Sequence, residues 1–177
     1  MSSAEKTRLS TRDIRLSTTI RAKPELVYRS LTSARELTRW WLQGAETDAR
    51  NAGRLRMVWP RVRDKAGERC RGFGEREGVF VDLEPARKVA WLWKPARGEK
   101  GVPALTTIFI LPARLGSEVT LLHAGFPARG EELYRGYACA WEDGLAKLKL
   151  YLETGRTCKL ESVDLEAVRI LMARAKR

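Results

Sequence analysis

The chain has 177 residues, 44% hydrophobic and 32% charged, a length and balance that suit one domain with a real core and exclude wholesale disorder. A formal net charge of +12 and a pI near 10.1 call for either a solvated basic surface or an anionic partner. No apolar run approaches the roughly 20 residues that cross a bilayer, and Met1 to Arg15 lacks the apolar core and cleavage site of a secretory leader, so a cytoplasmic location is expected.

Residues 1–11 read as a flexible lead. Ile14 to Ile20 then alternates apolar and polar, the pattern of a half-buried strand. Lys23-Pro24-Glu25 places proline where it suits the first turn of a helix, to which Leu26, Val27, Tyr28 and Leu31 give an apolar side. Ser33-Ala34-Arg35-Glu36 has capping-box form and starts a second short helix, with Leu37, Trp40 and Trp41 on its buried face. From about Gly53 to Ala124 the period becomes two. Leu55, Met57 and Trp59 fall on one side of a strand, with Arg54 and Arg56 on the other. Asp64-Lys65-Ala66-Gly67 reads as a hairpin turn, and Gly72, Gly74 and Gly78 in the return run predict bulges or a sharply curved sheet. Val89, Trp91 and Trp93 alternate with Ala90 and Leu92. A glycine- and proline-rich loop, Pro95 to Pro103, leads to the strand Leu105 to Leu111, and a turn near Gly116 to the strand Glu118 to His123. Short turns between successive strands predict antiparallel neighbours.

The last third returns to a period of 3.6. Tyr134, Tyr137, Ala138, Trp141, Leu145, Leu148 and Leu152 form one stripe, Arg135, Glu142 and Lys149 fall off it, and Gly155 stands where a C-cap glycine belongs. A long helix with so wide an aromatic stripe needs a broad apolar partner, the concave face of the sheet. Residues 157–177 form an extension, helical where Leu165, Val168 and Met172 share a side, expected to pack on the domain, with a homodimer contact or fraying as the alternatives. The fold class is therefore α+β. Cys70, Cys139 and Cys158 are odd in number and far apart, with neither a CxxC pair nor metal-ligand spacing, and are read as reduced thiols.

This order of elements, together with the words Pro24 to Thr32, Trp40-Trp41, Gly78 to Pro85, Leu121 to Phe126 and the helix Trp141 to Leu152 ending in Gly155, resembles the START-like (SRPBCC) superfamily. Within it the chain is similar to the group related to the C-terminal domain of the activator of the heat-shock chaperone ATPase. The resemblance spans residues 12–156. It departs in one place: members often have glycine before the tryptophan, where here Ala140 precedes Trp141. It implies a helix-grip fold, in which a curved antiparallel sheet holds the long C-terminal helix, two short helices follow the first strand, and a cavity lies between sheet and helix. Members bind lipids, sterols, polyketides and other hydrophobic molecules there, and a few are enzymes.

Candidate cavity residues are aromatic. Trp59, Trp91, Trp93 and Trp141 are expected to face inward, with Trp40 and Trp41 where the second helix approaches the sheet, and Phe80, Phe109 and Tyr137 as further walls. Plain core packing explains any one of them as well. His123, the single histidine, shares the side of Val119 and Leu121 and is either tied to a neighbour near the strand end or, with Tyr137, a polar handle for a ligand. No triad, phosphate loop, metal cluster or cofactor motif is present in the pattern, so neither a catalytic residue nor a cofactor is assigned. The expected function is non-catalytic binding of a hydrophobic or amphipathic small molecule or lipid. The alternatives are a chaperone-stimulating interaction module, although 177 residues leave no room for the full-length activator's N-terminal domain, and a cyclase- or hydrolase-type enzyme in the same cavity. Nucleic acid or an anionic membrane held by Arg54, Arg56, Arg61, Arg63, Arg69 and Arg71 ranks last.

Overall fold

The computed structural model describes residues 11–61, 73–95, 105–128 and 130–174. In chain order these form β1 (Thr11–Ile20), α1 (Pro24–Thr32), α2 (Ala34–Trp40), β2 (Gly44–Thr47), β3 (Arg54–Val58), β4 (Glu75–Glu84), β5 (Lys88–Trp93), β6 (Leu105–Ala113), β7 (Gly116–Pro127), α3 (Glu131–Thr154) and α4 (Leu165–Arg174). The seven strands make one antiparallel sheet in the order β1-β7-β6-β5-β4-β3-β2. Its edges, β1 and β2, are consecutive strands joined through α1 and α2, which therefore carry the chain across the inner face. The curved sheet gripping the long α3 is the helix-grip arrangement. The turn at Asp64–Gly67, Gly72, and the loop from 96 to Pro103 lie outside the described residues.

Proline at the first turn starts α1, and Val27 and Leu31 bury its inner side, while Leu26 is exposed instead of joining them. Only half of the expected capping box forms. Ser33 Oγ accepts from the Glu36 N–H at 3.5 Å, but the Ser33 N–H already donates to the Arg29 carbonyl. The Glu36 carboxylate is thereby free to accept from Arg39 and from the Tyr151 hydroxyl on α3, at 3.2 and 2.8 Å. β2 has no counterpart in the sequence reading, since Gly-Ala-Glu-Thr carries no alternation.

Two irregularities shape the inner face. In β4 the register with β5 slips between Phe80 and Asp82, leaving Val81 as an outward bulge. Just before it, a Cβ on Gly78 would lie 2.5 Å from the Leu92 carbonyl oxygen, so the approach of β4 and β5 requires glycine. Gly78→Ala is expected to destabilise by about 1–3 kcal/mol, the scale of a forced backbone shift, as read by urea unfolding. In β7 the register with β1 slips opposite Asp13, whose carboxylate accepts from the Gly125 N–H at 2.8 Å. That bulge changes the phase of the strand and turns both His123 and Phe126 into the core.

α3 ends on Gly155, whose φ of 74° and N–H bond to the Tyr151 carbonyl make a left-handed cap. Its middle is buried on every side, not along a stripe alone. The sheet covers the side bearing Tyr137, Trp141, Leu145 and Leu148, and the segment ending in α4 covers the other. Leu165, Val168 and Met172 are buried there, so the face of α4 that they share is used within the chain, while Ile170 and Leu171 stay exposed. Lys149, expected to be solvated, is buried. It donates to the Thr19 carbonyl of β1 and to Glu153, each at 2.6 Å, while Arg169 donates to the Ser17 carbonyl at 2.7 Å. These cations occupy carbonyls of the edge strand that would otherwise invite another strand. Burial alone would raise the Glu153 carboxyl, but Lys149 and Arg21 outweigh it and hold the group below its usual range.

The reading of three reduced thiols is corrected. Cys139 on α3 is disulfide-bonded, whereas Cys158 is a free thiol that donates to Glu161 and is pushed up by burial and by that carboxylate. Spacing along the chain concealed what the fold brings together. No helix of the described residues is long and apolar enough to cross a membrane.

Candidate ligand-binding site

Antiparallel register places one row of inward residues across the sheet: Phe80 on β4 faces Trp91 on β5, which faces Thr106 on β6, which faces His123 on β7, which faces Ile14 on β1. All five are buried. Trp141 of α3 lies over the row, its ring 6.2 Å from that of Trp91 and 5.9 Å from that of His123.

The remaining rings extend this wall toward α2. Trp93 lies 5.7 Å from Trp91 and 5.9 Å from Trp59, which meets Trp41 edge-on at 5.3 Å. Trp41 stacks on Trp40 and touches Trp141, and Trp40 is anchored by its indole N–H on the Ser30 carbonyl. Gly144 on α3 admits the Trp41 ring, since a Cβ there would lie 3.1 Å from it. At the other end, Tyr137 lies 5.4 Å from His123. Of the sequence-predicted residues, Trp40, Trp41, Trp59, Trp91, Trp93, His123, Tyr137 and Trp141 thus form one connected ring cluster. Phe80 is fully buried in the same row.

Phe109 is a correction. It is 39% exposed, on the outer face of β6, because pairing of Thr106 with His123 sends residues 106, 108 and 110 inward. Three residues of the site went unread. Phe73 fills the space between Trp59, Tyr137 and Trp141, Phe126 packs on His123 at 4.7 Å, and Thr106 sits at the centre of the row. The glycines beside Phe73 and Phe126 were the only signal for the first two.

His123 is tied down as well as buried. The Trp141 indole N–H donates to His123 Nδ1 at 2.9 Å, and an indole can only donate, so the neutral ring carries its hydrogen on Nε2. Within this cluster three other buried polar atoms lack any hydrogen-bond partner: Trp59 Nε1, Trp91 Nε1 and Thr106 Oγ1. Among the described residues no group of three His, Cys, Asp or Glu side chains is placed to hold a metal. The cluster thus combines a continuous apolar wall with a few fixed polar atoms.

Two other surfaces compare poorly with it. A groove of about 420 Å³ along β1, lined by Ser17, Thr18, Thr19, Glu118, Lys149 and Arg169, has both cations committed to backbone carbonyls and carboxylates. The basic stretch is paired only in part where it is described: Arg56 bridges Glu75 and Glu46, which raise its pKa further, whereas Arg54 and Arg61 are exposed. Arg63, Arg69 and Arg71 lie outside the described residues.

Solved structures share this architecture. The Aha1 dimer from Colwellia psychrerythraea matches with a TM-score of 0.66 at 18% identity, covering 82% of this chain and 98% of that one. SSP2350 from Staphylococcus saprophyticus gives 0.65 at 18% identity, covering 84% and 96%. CalU16 from Micromonospora echinospora gives 0.58 at 18% identity, covering 94% and 85%. At such identity they speak to fold alone. No curated protein matches the chain. The family described as "Activator of Hsp90 ATPase homolog 1-like protein" matches residues 21–153. That span runs from the start of α1 to the end of α3 and holds every ring of the cluster, so the chain belongs to this family of the START-like superfamily.

Proposed function

We propose that the protein binds a hydrophobic or amphipathic small molecule between the sheet and α3, without catalysing a reaction on it. The supporting observation is the connected aromatic wall from Trp41 to Phe126, interrupted on its inner side by the fixed, neutral His123. Large flat side chains supply apolar area at little rotamer cost, and a few fixed polar atoms orient what enters. We keep a cytoplasmic location in the proposal, although a disulfide such as that at Cys139 is commoner in oxidising compartments. A homodimer also remains part of it, through a surface other than the covered face of α4.

Titration with Nile red, an uncharged fluorescent probe, tests this reading. Saturable uptake is expected, unchanged between about 50 mM and about 500 mM salt, and weakened about tenfold by Trp59→Ala. Affinity that collapses with salt would point instead to the basic surface. His123→Ala is expected to alter affinity alone, whereas an enzyme using this site would lose turnover. The family description favours a second reading, stimulation of a chaperone ATPase. In that case ATPase stimulation would persist in Trp59→Ala.

A further inference from the structure

We infer that the interior site selects a flat, uncharged molecule through a carbonyl-type oxygen, which accepts hydrogen bonds from Trp91 Nε1 and Thr106 Oγ1; this rests on the small-molecule reading above. Both side chains are fully buried, sit directly opposite each other on β5 and β6, and lack a partner for their polar atoms. Directly paired residues hold their Cβ atoms about 4.5–5.5 Å apart, so one bound atom can meet both groups.

Such orphans need an explanation, because a buried polar atom without a partner is a net burden on the fold. Valine has the shape of threonine and would fill the position on β6 without that burden, and phenylalanine would serve for ring packing at 91. The donor set then narrows the ligand. An indole N–H donates and cannot accept. If Thr106 accepted from the ligand, its own hydrogen would stay unplaced, so the threonine donates as well. Two converging donors call for an oxygen with two open lone pairs and no hydrogen of its own, as in a ketone, a quinone or an ester. Trp91, Thr106 and Trp141 carry no charge to balance an ionised ligand, and burying an unmatched charge is prohibitive. The aromatic walls of Trp91 and Trp141, tilted by 45° with centroids 6.2 Å apart, favour an aromatic body beside that oxygen through ring-to-ring contact.

Two probes of one skeleton test this: 9-fluorenone, with a carbonyl, and fluorene, its hydrocarbon. Calorimetry gives their affinities, and ¹⁵N–¹H spectra of the indoles, assigned through Trp91→Phe, report the donor. Fluorenone is expected to bind about tenfold more tightly, although fluorene is the more hydrophobic, and to move the Trp91 N–H resonance downfield where fluorene does not. Thr106→Val is expected to remove most of that preference, to spare fluorene binding, and to raise the melting temperature of the ligand-free protein by about 2–4 °C. Equal affinities with no shift at Trp91 would overturn the carbonyl inference and leave the binding function standing, with ordered water then satisfying the two groups. Failure of both probes to bind would overturn both.

Discussion

Trp141→Ala is expected to lower stability by about 3–5 kcal/mol, with a fall in melting temperature of about 10 °C. The indole is 1% exposed and meets the rings of Trp41, Phe73, Trp91 and His123, so its removal opens a space that four rigid rings cannot fill by rotation. It also removes the N–H that holds His123 Nδ1. Trp141→Phe separates the two effects. It keeps a ring over the sheet while losing the donor and a smaller part of the buried area, for which about 1–3 kcal/mol is expected. Urea unfolding with an unchanged m-value checks both. If phenylalanine destabilises as much as alanine, the hydrogen bond to His123 and not the ring packing dominates at this point.

Asp143→Ala should be comparably severe, at about 3–5 kcal/mol, because it leaves a buried ammonium without its partner. Asp143 Oδ2 accepts from Lys147 Nζ at 2.7 Å, and Oδ1 accepts from the Val163 N–H at 2.7 Å. Lys147 is 3% exposed. Lys159 extends the arrangement to the C-terminal carbonyls of α2, donating to Thr38 at 2.8 Å and Leu42 at 3.3 Å. The segment after Gly155 is therefore latched to the helix that carries Trp40 and Trp41. Replacing both charges, Asp143→Leu with Lys147→Met, should be near neutral or stabilising, since two desolvation penalties vanish together.

The pH dependence carries the same signature. Burial, the largest influence on Asp143, raises its pKa, and Lys147 and the Val163 N–H only partly reverse it. A carboxyl whose folded pKa lies above its unfolded value of about 3.9 binds more protons in the folded state. Its contribution to stability therefore falls as pH rises through that window and recovers on acidification. Glu153, held below its usual range, has the opposite sign, stabilising above the unfolded value and losing this as pH falls. Subtracting the stability profile of Asp143→Asn from that of the parent between about pH 7 and about pH 4 should show a term that favours the parent more at acid pH.

What could be read beforehand was what periodicity and caps record. Pro24, Ser33 and Gly155 marked helix ends, and the spacing of Tyr137, Trp141, Leu145 and Leu148 marked the face of α3 that meets the sheet. What could not be read depended on register or on segments distant in sequence. By hydrophobicity, Leu105, Phe109 and Leu111 make the better inner face of β6, yet pairing with β7 turns Thr106 inward and Phe109 out. Lys149 falls off the apolar stripe, and nothing local announces that β1 will cover it, or that the segment after Gly155 will cover Lys147. The bulge at Gly125 restarts the alternation of β7, so Phe126 faces inward where a regular strand would have turned it away.

The central claim is that the ring cluster holds a small molecule. The most direct measurement compares native and denaturing mass spectra of freshly purified protein that has been saturated with Nile red. One adduct per chain in the native spectrum, absent after denaturation and sharply reduced in Trp59→Ala, is the predicted result. A native spectrum showing only the bare chain, or a ladder of adducts indifferent to Trp59→Ala, would contradict it.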